Sequence, residues 1–287
     1  MGYTRKGIIL AGGYGSRLFP LTKAVNKQLL PVFDKPMIYY PLTTLVSCGI
    51  QDICIISSYE YLPLYRELFD DGSQWGLTIT YRLQPDPKGL PQAFTIAEDH
   101  LGDANILILG DNIFHGFNFF PETLPKHDGG GEIWAYEVED PRRYGVVVFG
   151  ADGNLISLEE KPTHPASNYA VPGIYMFDNR VAEYAKQLVP SARGELEIVD
   201  LIKKYAETSR IHVQKMPRGS AWLDAGTPES LSQASLYVQT IQSRQGIMIG
   251  CVEEECLRQK FITEPDIVKL LATYPKCAYR DYLEKIL

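Results

Sequence analysis

A short apolar run, Gly7-Ile8-Ile9-Leu10, breaks into three glycines within four positions, Gly12, Gly13 and Gly15, and the cations Arg17 and Lys27 follow. A strand that ends in glycines lets backbone N–H groups approach a ligand with no side chain in the way. Ahead of a helix, such a turn suits phosphates. Arg17 adds a rigid positive fork and Lys27 a mobile positive point. The combination reads as a polyphosphate site, although the glycines alone read equally as a tight turn of an ordinary α/β protein. No G-x-x-x-x-G-K-[ST] loop is present. Leu18 stands where the third glycine of a G-x-G-x-x-G fingerprint would fall, which disfavours a dinucleotide-dependent oxidoreductase.

The balance of 28 Lys and Arg against 35 Asp and Glu gives a net charge of −7 in 287 residues. That argues against a nucleic-acid partner, which calls for a basic face. An acidic protein that handles anions has to concentrate its cations locally, as Arg17 and Lys27 suggest. No apolar run approaches the length of a membrane span, and the first residues lead straight into a strand with no signal-peptide core. The expectation is therefore a cytoplasmic protein without a membrane partner. Five cysteines (Cys48, Cys54, Cys251, Cys256, Cys277) form no C-x-x-C pair and read as reduced thiols. The five histidines are scattered, without zinc-site spacing.

Strand patterns at 7–11, 53–57, 78–83 and 106–109 alternate with helical patterns at 38–48 and 92–100. Such alternation predicts a mainly parallel sheet with helices on both faces, and ligands at the carboxyl ends of its strands. Further on, 144–149 and 155–158 flank Asp152-Gly153, a hairpin signal. Strands at 173–177 and 221–224 and a helix over 198–206 follow. Thr227 then caps a helix with Pro228 at its first position, which continues over 230–242. Residues 253–287 carry helical spacing without glycine. The elements read as one domain over 1–242 without a convincing internal boundary, followed by a C-terminal helical segment over 243–287.

Asp111 directly follows the strand 106–109 and its glycine, and Asp224 ends another strand beside Ala225-Gly226. Either aspartate alone is an ordinary turn residue. Two at strand ends beside glycine suit Mg²⁺, which takes few protein carboxylates and keeps waters and substrate phosphates. Glu160-Lys161 reads either as a solvated charge cluster or as a phosphate and hydroxyl contact. Arg193 before a helix and Tyr144-Gly145 at a strand entry are weaker candidates.

The pattern G-I-I-L-A-G-G-x-G-x-R-L-x-P, followed by K-Q-L-L-P-V-x-D-K-P-M-I-Y-Y-P, resembles the sugar-nucleotidyltransferase family, and within it the members that transfer a thymidylyl group to glucose 1-phosphate. The resemblance runs nearly end to end, through Asp71-Gly72-Ser73-Gln74-Trp75-Gly76-Leu77, Leu109-Gly110-Asp111-Asn112, Tyr144-Gly145-Val146-Val147, Leu158-Glu159-Glu160-Lys161-Pro162-Thr163, Arg193-Gly194-Glu195-Leu196-Glu197-Ile198 and Trp222-Leu223-Asp224. It implies a Rossmann-like α/β nucleotidyltransferase fold, with a mainly parallel mixed central sheet flanked by helices and a small C-terminal helical appendage; the nucleotide-binding part would span about 1–115 and the sugar-phosphate part about 116–242. The implied substrates are dTTP and glucose 1-phosphate, with Mg²⁺ as cofactor.

By that resemblance Leu10, Gly12, Gly13, Gly15, Gln28, Gln84, Pro87, Gly89, Leu90 and Asp111 would surround the nucleotide, with Arg17 and Lys27 as the catalytic cations. Asn112, Tyr144, Gly145, Glu160, Lys161, Val171, Tyr175 and Arg193 would hold the sugar phosphate, and Asp111 with Asp224 the metal. Family members of this length are homotetramers inhibited by dTDP-rhamnose at a second site, whose region would include Gly116, Arg218, Cys251 and Arg258. Ala225, Pro172 and Pro91 depart from the family pattern, where threonine, threonine and alanine are usual. A UTP- or CTP-dependent transferase and a nucleotide-sugar sensor without turnover are the competing readings. The intact charged set disfavours the sensor.

Overall fold

The computed structural model describes residues 4–117, 129–150 and 155–287, so the Asp152-Gly153 turn lies outside the described residues. Strand β1 (Arg5–Leu10) is followed by the short pair β2 (Pro31–Val32) and β3 (Lys35–Pro36), then helix α1 (Tyr39–Ser47). Next come β4 (Asp52–Ser57), α2 (Leu62–Phe69), β5 (Thr78–Leu83), α3 (Gln92–Ile96), β6 (Ala104–Leu109) and β7 (Asn112–His115). The middle of the chain supplies β8 (Gly131–Glu137), β9 (Gly145–Phe149), β10 (Leu155–Glu160), β11 (Tyr169–Ala170) and β12 (Ile174–Asp178). Helices α4 (Val181–Lys186) and α5 (Ile198–Thr208) precede β13 (Ile211–Lys215) and β14 (Ala221–Asp224). Four helices complete the chain: α6 (Pro228–Gln245), α7 (Val252–Arg258), α8 (Glu264–Leu271) and α9 (Ala278–Ile286).

A mixed sheet in the order β10-β9-β11-β8-β12-β6-β1-β4-β5, with β13 beside β8, forms the centre. Strand β1 runs parallel to β4 and β6, and β4 parallel to β5. Strand β12 lies antiparallel to β6 and β8. The continuous apolar run of β1 follows from burial on both faces. Ile8 and Leu10 pack with Phe94, Tyr175 and Tyr205 on one side, while Ile9 packs with Leu42, Leu45 and Trp75 on the other. Each such side chain, fully buried, contributes about 1.5–3 kcal/mol. Beside the main sheet, β14 pairs antiparallel with β7 and brings Asp224 opposite Asn112.

The predicted helix over 92–100 ends early. Helix α3 stops at Ile96, and Glu98–His100 form a separate 3₁₀ turn. The turn carries His100 inward, where its Nε2 lies 3.2 Å from the Gly7 carbonyl oxygen. Thr227 does cap α6, its hydroxyl oxygen accepting the Ser230 N–H at 3.3 Å, with Pro228 in the first turn. The last three helices dock through the buried Glu253 carboxylate, which accepts from the Trp75 indole at 3.2 Å and the Tyr274 hydroxyl at 2.6 Å. Four cysteines are buried and Cys277 is exposed, all with free thiols. Among the described residues, no helix is long and apolar enough to cross a membrane.

Candidate functional site

A cavity of about 620 Å³ opens at the carboxyl ends of β1 and β6, between the glycine loop and the mouth of β9 and β10. It gathers residues that lie far apart in sequence: Gly13, Gly15, Arg17 and Lys27 from the loop, Asp111 and Asn112 after β6, and Asp224 at the end of β14. Leu90, Tyr144, Gly145, Glu160, Lys161, Val171, Tyr175 and Arg193, also expected from the sequence, line the same cavity.

Lys27 Nζ forms an ion pair with Asp111 Oδ2, and both side chains are only 11% exposed. Water screens such a pair poorly, so its Coulomb term is strong. Burial works against the Asp111 charge, but Lys27 and the Asn112 amide outweigh it and hold the carboxyl below its ordinary pKa. Asp224 goes the other way. Burial and the neighbouring Asp111 charge raise its pKa, against the pull of Lys27, Arg17 and Arg143. Two carboxylates thus share one side of the cavity, and the cation nearest Asp224 is Arg143, at 3.6 Å. The backbone ties the pair together, since the Ala225 N–H donates to the Asp111 carbonyl at 3.1 Å. Ala225 itself is fully buried against Val32, Met37 and Ile113, so the position is filled by a methyl in the core.

Among the described residues, no group of three or more His, Cys, Asp and Glu side chains is arranged as a metal cage. Two hard oxygen donors with an open side fit a hydrated divalent ion better than a closed structural site.

Asn112 is 2% exposed, and both ends of its side chain are engaged by the fold. Its Nδ2 donates to Asp111 Oδ1 at 2.9 Å, and its Oδ1 accepts from Gly173 N at 3.0 Å and Trp222 Nε1 at 2.6 Å. Gly173 is required by that approach, since a Cβ there would meet Asn112 Oδ1 at 2.7 Å. Pro172 precedes it on the same turn.

On the opposite wall, Lys161 takes a left-handed backbone (φ 45°). Its N–H donates to the Tyr144 carbonyl at 3.0 Å. A residue other than glycine rarely holds that conformation without a local reason. Here the turn places Nζ 3.2 Å from Glu160 Oε1, and Arg193 Nη2 reaches the same oxygen at 3.2 Å. The Val171 N–H donates to the Gly145 carbonyl at 2.8 Å. Tyr175 is buried on β12, and desolvation together with the Glu160 and Asp111 charges keeps its phenol protonated.

Leu10, Gly12, Gln28, Gln84, Pro87 and Gly89 are not on the cavity wall. Leu10 closes β1 beneath the loop. The Gln84 amide covers Gly12, where a Cβ would meet Gln84 Oε1 at 1.9 Å. Gln84 Nε2 donates to Gln92 Oε1 at 2.7 Å. Gln28 is buried beneath Gly110, and its Oε1 has no hydrogen-bond partner among the described residues. Pro87 and Gly89 belong to the loop after β5, and Gly89 (φ 115°) bridges to Leu196. Pro91 opens α3.

Arg143 and Trp222 line the cavity without having been singled out from the sequence as site residues. The Tyr144 and Trp222 rings meet with centroids 4.8 Å apart. The signal for Arg143 is the Arg142-Arg143 pair just before Tyr144-Gly145. Arg142 spends its charge on Asp140 at 2.7 Å, leaving Arg143 to face inward.

A second cavity, of about 530 Å³, lies between α1, β7 and α7 and is lined by Gly116, Cys251 and Arg258 among others. Arg218 is exposed in the turn between β13 and β14 and is not part of that lining.

A family model described as nucleotidyl transferase matches residues 6–241. A glucose-1-phosphate thymidylyltransferase of Neisseria meningitidis is 49% identical over 286 residues, 98% of this chain and 99% of the relative. One from Mycolicibacterium smegmatis is 47% identical and covers 98% of this chain and 99% of its own length. A solved Bacillus anthracis structure described as a glucose-1-phosphate thymidylyltransferase in complex with sucrose superposes with a TM-score of 0.76 at 42% identity. That match covers 82% of this chain and 95% of the other.

Proposed function

The chain belongs to the nucleotidyl transferase family, among the glucose-1-phosphate thymidylyltransferases, and we propose that it transfers a thymidylyl group from dTTP to glucose 1-phosphate, releasing pyrophosphate. The observation that carries this reading is the meeting of Arg17, Lys27, Asp111 and Asp224 at one end of a cavity whose other end holds Glu160, Lys161 and Arg193. One substrate brings a triphosphate and the other a phosphate monoester, so cations are needed at both ends.

In the proposed reaction a phosphate oxygen of glucose 1-phosphate attacks the α-phosphorus of dTTP. The bond from that phosphorus to the bridging oxygen breaks, and pyrophosphate leaves opposite the nucleophile. The attacking oxygen is already anionic near neutral pH, so no general base is required. The task is to hold two anions in line and to stabilise the charge that builds up. Arg17 takes the departing phosphates, and Gly13 and Gly15 let the backbone approach them. Lys27 stabilises the reacting α-phosphate. Lys161 and Arg193 hold the sugar phosphate, with Glu160 accepting from sugar hydroxyls beside Gly145, Val171 and Tyr175. The loop carrying Gln84, Pro87, Gly89 and Leu90 receives the base, with Gly12 beneath Gln84, and Leu10 and Gln28 support the nucleotide end from behind the glycine loop. Asn112 anchors the wall between the two substrates.

Enzymes of this family generally use a divalent metal. Asp111 and Asp224 would hold Mg²⁺, which would neutralise phosphate charge in the complex.

The likeness over nearly the full length of the relatives supports a cytoplasmic homotetramer inhibited by dTDP-rhamnose, with the cavity at Gly116, Cys251 and Arg258 as the inhibitor site. Sedimentation with and without that nucleotide sugar tests the assembly.

The test of function is pyrophosphate release with Mg²⁺ and glucose 1-phosphate, supplying dTTP, UTP or CTP separately. Metal-dependent release favouring dTTP supports the reading. Equal release with UTP overturns the base assignment, and silence with all three overturns the transferase.

A further inference from the structure

The segment from Ser191 to Glu197 closes on itself at the cavity mouth. The Ser191 N–H donates to the Glu195 carbonyl at 2.8 Å, and the Gly194 N–H to the Ser191 carbonyl at 2.8 Å. Glu197 stands at the N-cap of α5, yet its side chain caps no helix N–H. Its carboxylate instead accepts from Arg193 Nη2 at 2.7 Å, Arg193 Nε at 3.2 Å and the Ser191 hydroxyl at 2.6 Å. The Glu197 side chain is 10% exposed, while that of Arg193 is 42% exposed on the cavity wall. Two N–H bonds from one guanidinium to the two oxygens of a carboxylate fix direction as well as energy.

The neighbouring residue faces the other substrate's loop. The Leu196 N–H donates to the Lys88 carbonyl at 2.7 Å, and Leu196 bridges in parallel to Gly89. No side chain fits between them, since a Cβ on Gly89 would meet the Leu196 carbonyl oxygen at 2.1 Å.

We infer that Glu197 is a positioning residue: with Ser191 it holds the Arg193 fork toward the sugar phosphate, on a segment whose next residue is fastened to the loop after β5. An arginine on an exposed loop loses rotamer freedom when it grips an anion, and a fork held in advance reduces that cost. Without Glu197, the remaining carboxylate for Arg193 in this group is Glu160 at 3.2 Å. Arg193 would then settle on Glu160, masking the carboxylate needed for hydroxyls and misdirecting its own charge.

The inference rests on the proposed thymidylyl transfer, so the wild-type enzyme is assayed first. Its silence with dTTP and glucose 1-phosphate would overturn that reading, and this inference with it. With an active wild type, Glu197→Gln should raise KM for glucose 1-phosphate about tenfold, the loss expected for one charge-assisted interaction. KM for dTTP should stay within about twofold, and kcat should change less than KM. In an Arg193→Ala background the same change should add little, because Glu197 acts through Arg193. Ser191→Ala, a milder change, should move KM in the same direction by about threefold. An unchanged KM for glucose 1-phosphate in either variant, or an undiminished loss from Glu197→Gln in the Arg193→Ala background, overturns the inference while leaving the transferase standing.

Discussion

The indole N–H of Trp222 donates to Asn112 Oδ1 at 2.6 Å, across the antiparallel pair of β14 and β7. The bond links the strand that ends in Asp224 to the residue directly after Asp111. Because the same oxygen also accepts from Gly173, three chain segments depend on one amide. Trp222→Phe keeps most of the ring but removes the donor. It should cost about 0.5–1.5 kcal/mol of stability, the usual net value of such a bond. It should also lower kcat, because Asn112 in turn donates to Asp111. Denaturant unfolding and steady-state turnover measured together check this. A variant equal to the parent in both would show that the indole only fills space.

Lys27 is the cation closest to Asp111, and the two are buried together. In the proposed reaction it stabilises the α-phosphate. Lys27→Ala should therefore cut kcat by about 10²–10³, the range for losing one preorganised charge stabiliser. The unfolding midpoint separates this from collapse, since a buried aspartate left without its partner also destabilises. A folded variant that keeps most of its turnover removes Lys27 from the chemistry.

The charged residues were legible because strand ends and glycines mark them in the sequence. Asp111 follows the apolar run of β6 and Asp224 closes that of β14, and the pairing of β14 with β7, which starts at Asn112, brings the two carboxylates to one cavity. Arg143 was not legible, because Arg142 and Arg143 are the same residue type and only the Asp140 contact separates them. Strand β13 gave little signal, since its residues alternate only weakly between partial burial and exposure. The early end of α3 depends on a distant carbonyl at Gly7 that draws His100 inward, which local periodicity cannot encode. Gln84 is expected near the nucleotide only through the family resemblance, and its burial over Gly12 needs the folded chain.

Lys161 offers a separation of charge from strain. Its backbone sits at φ 45°, where glycine is at ease and other residues pay roughly 1–2 kcal/mol. Lys161→Ala and Lys161→Gly both remove the ammonium, so both should raise KM for glucose 1-phosphate to a similar extent. They should differ in stability, with the glycine variant ahead by about 1 kcal/mol after its own unfolded-state entropy is counted. Thermal unfolding of the two variants side by side decides the matter. Equal stabilities would mean that this turn relaxes when the side chain is shortened.

Glu132 on β8 gives a pH signature remote from the cavity. It is 3% exposed and accepts a hydrogen bond from Gln214. Burial pushes its carboxyl up to about 7, with Gln214 pulling the other way. In the unfolded chain the same group titrates near 4.3. Between those two values the folded protein keeps a proton that the unfolded chain has released. Stability from this group therefore falls as pH rises from about 4.3 to about 7, and is constant above. The gap corresponds to about 4 kcal/mol as an upper bound. Glu132→Gln retains the shape without the charge. It should be more stable than the parent at pH 8, with the advantage shrinking to nearly nothing by about pH 4. Other titrating groups are common to both proteins, so the difference between their unfolding free energies isolates Glu132. A stability difference that is the same at both pH values would show that this carboxyl ionises as freely in the folded protein as in the unfolded chain.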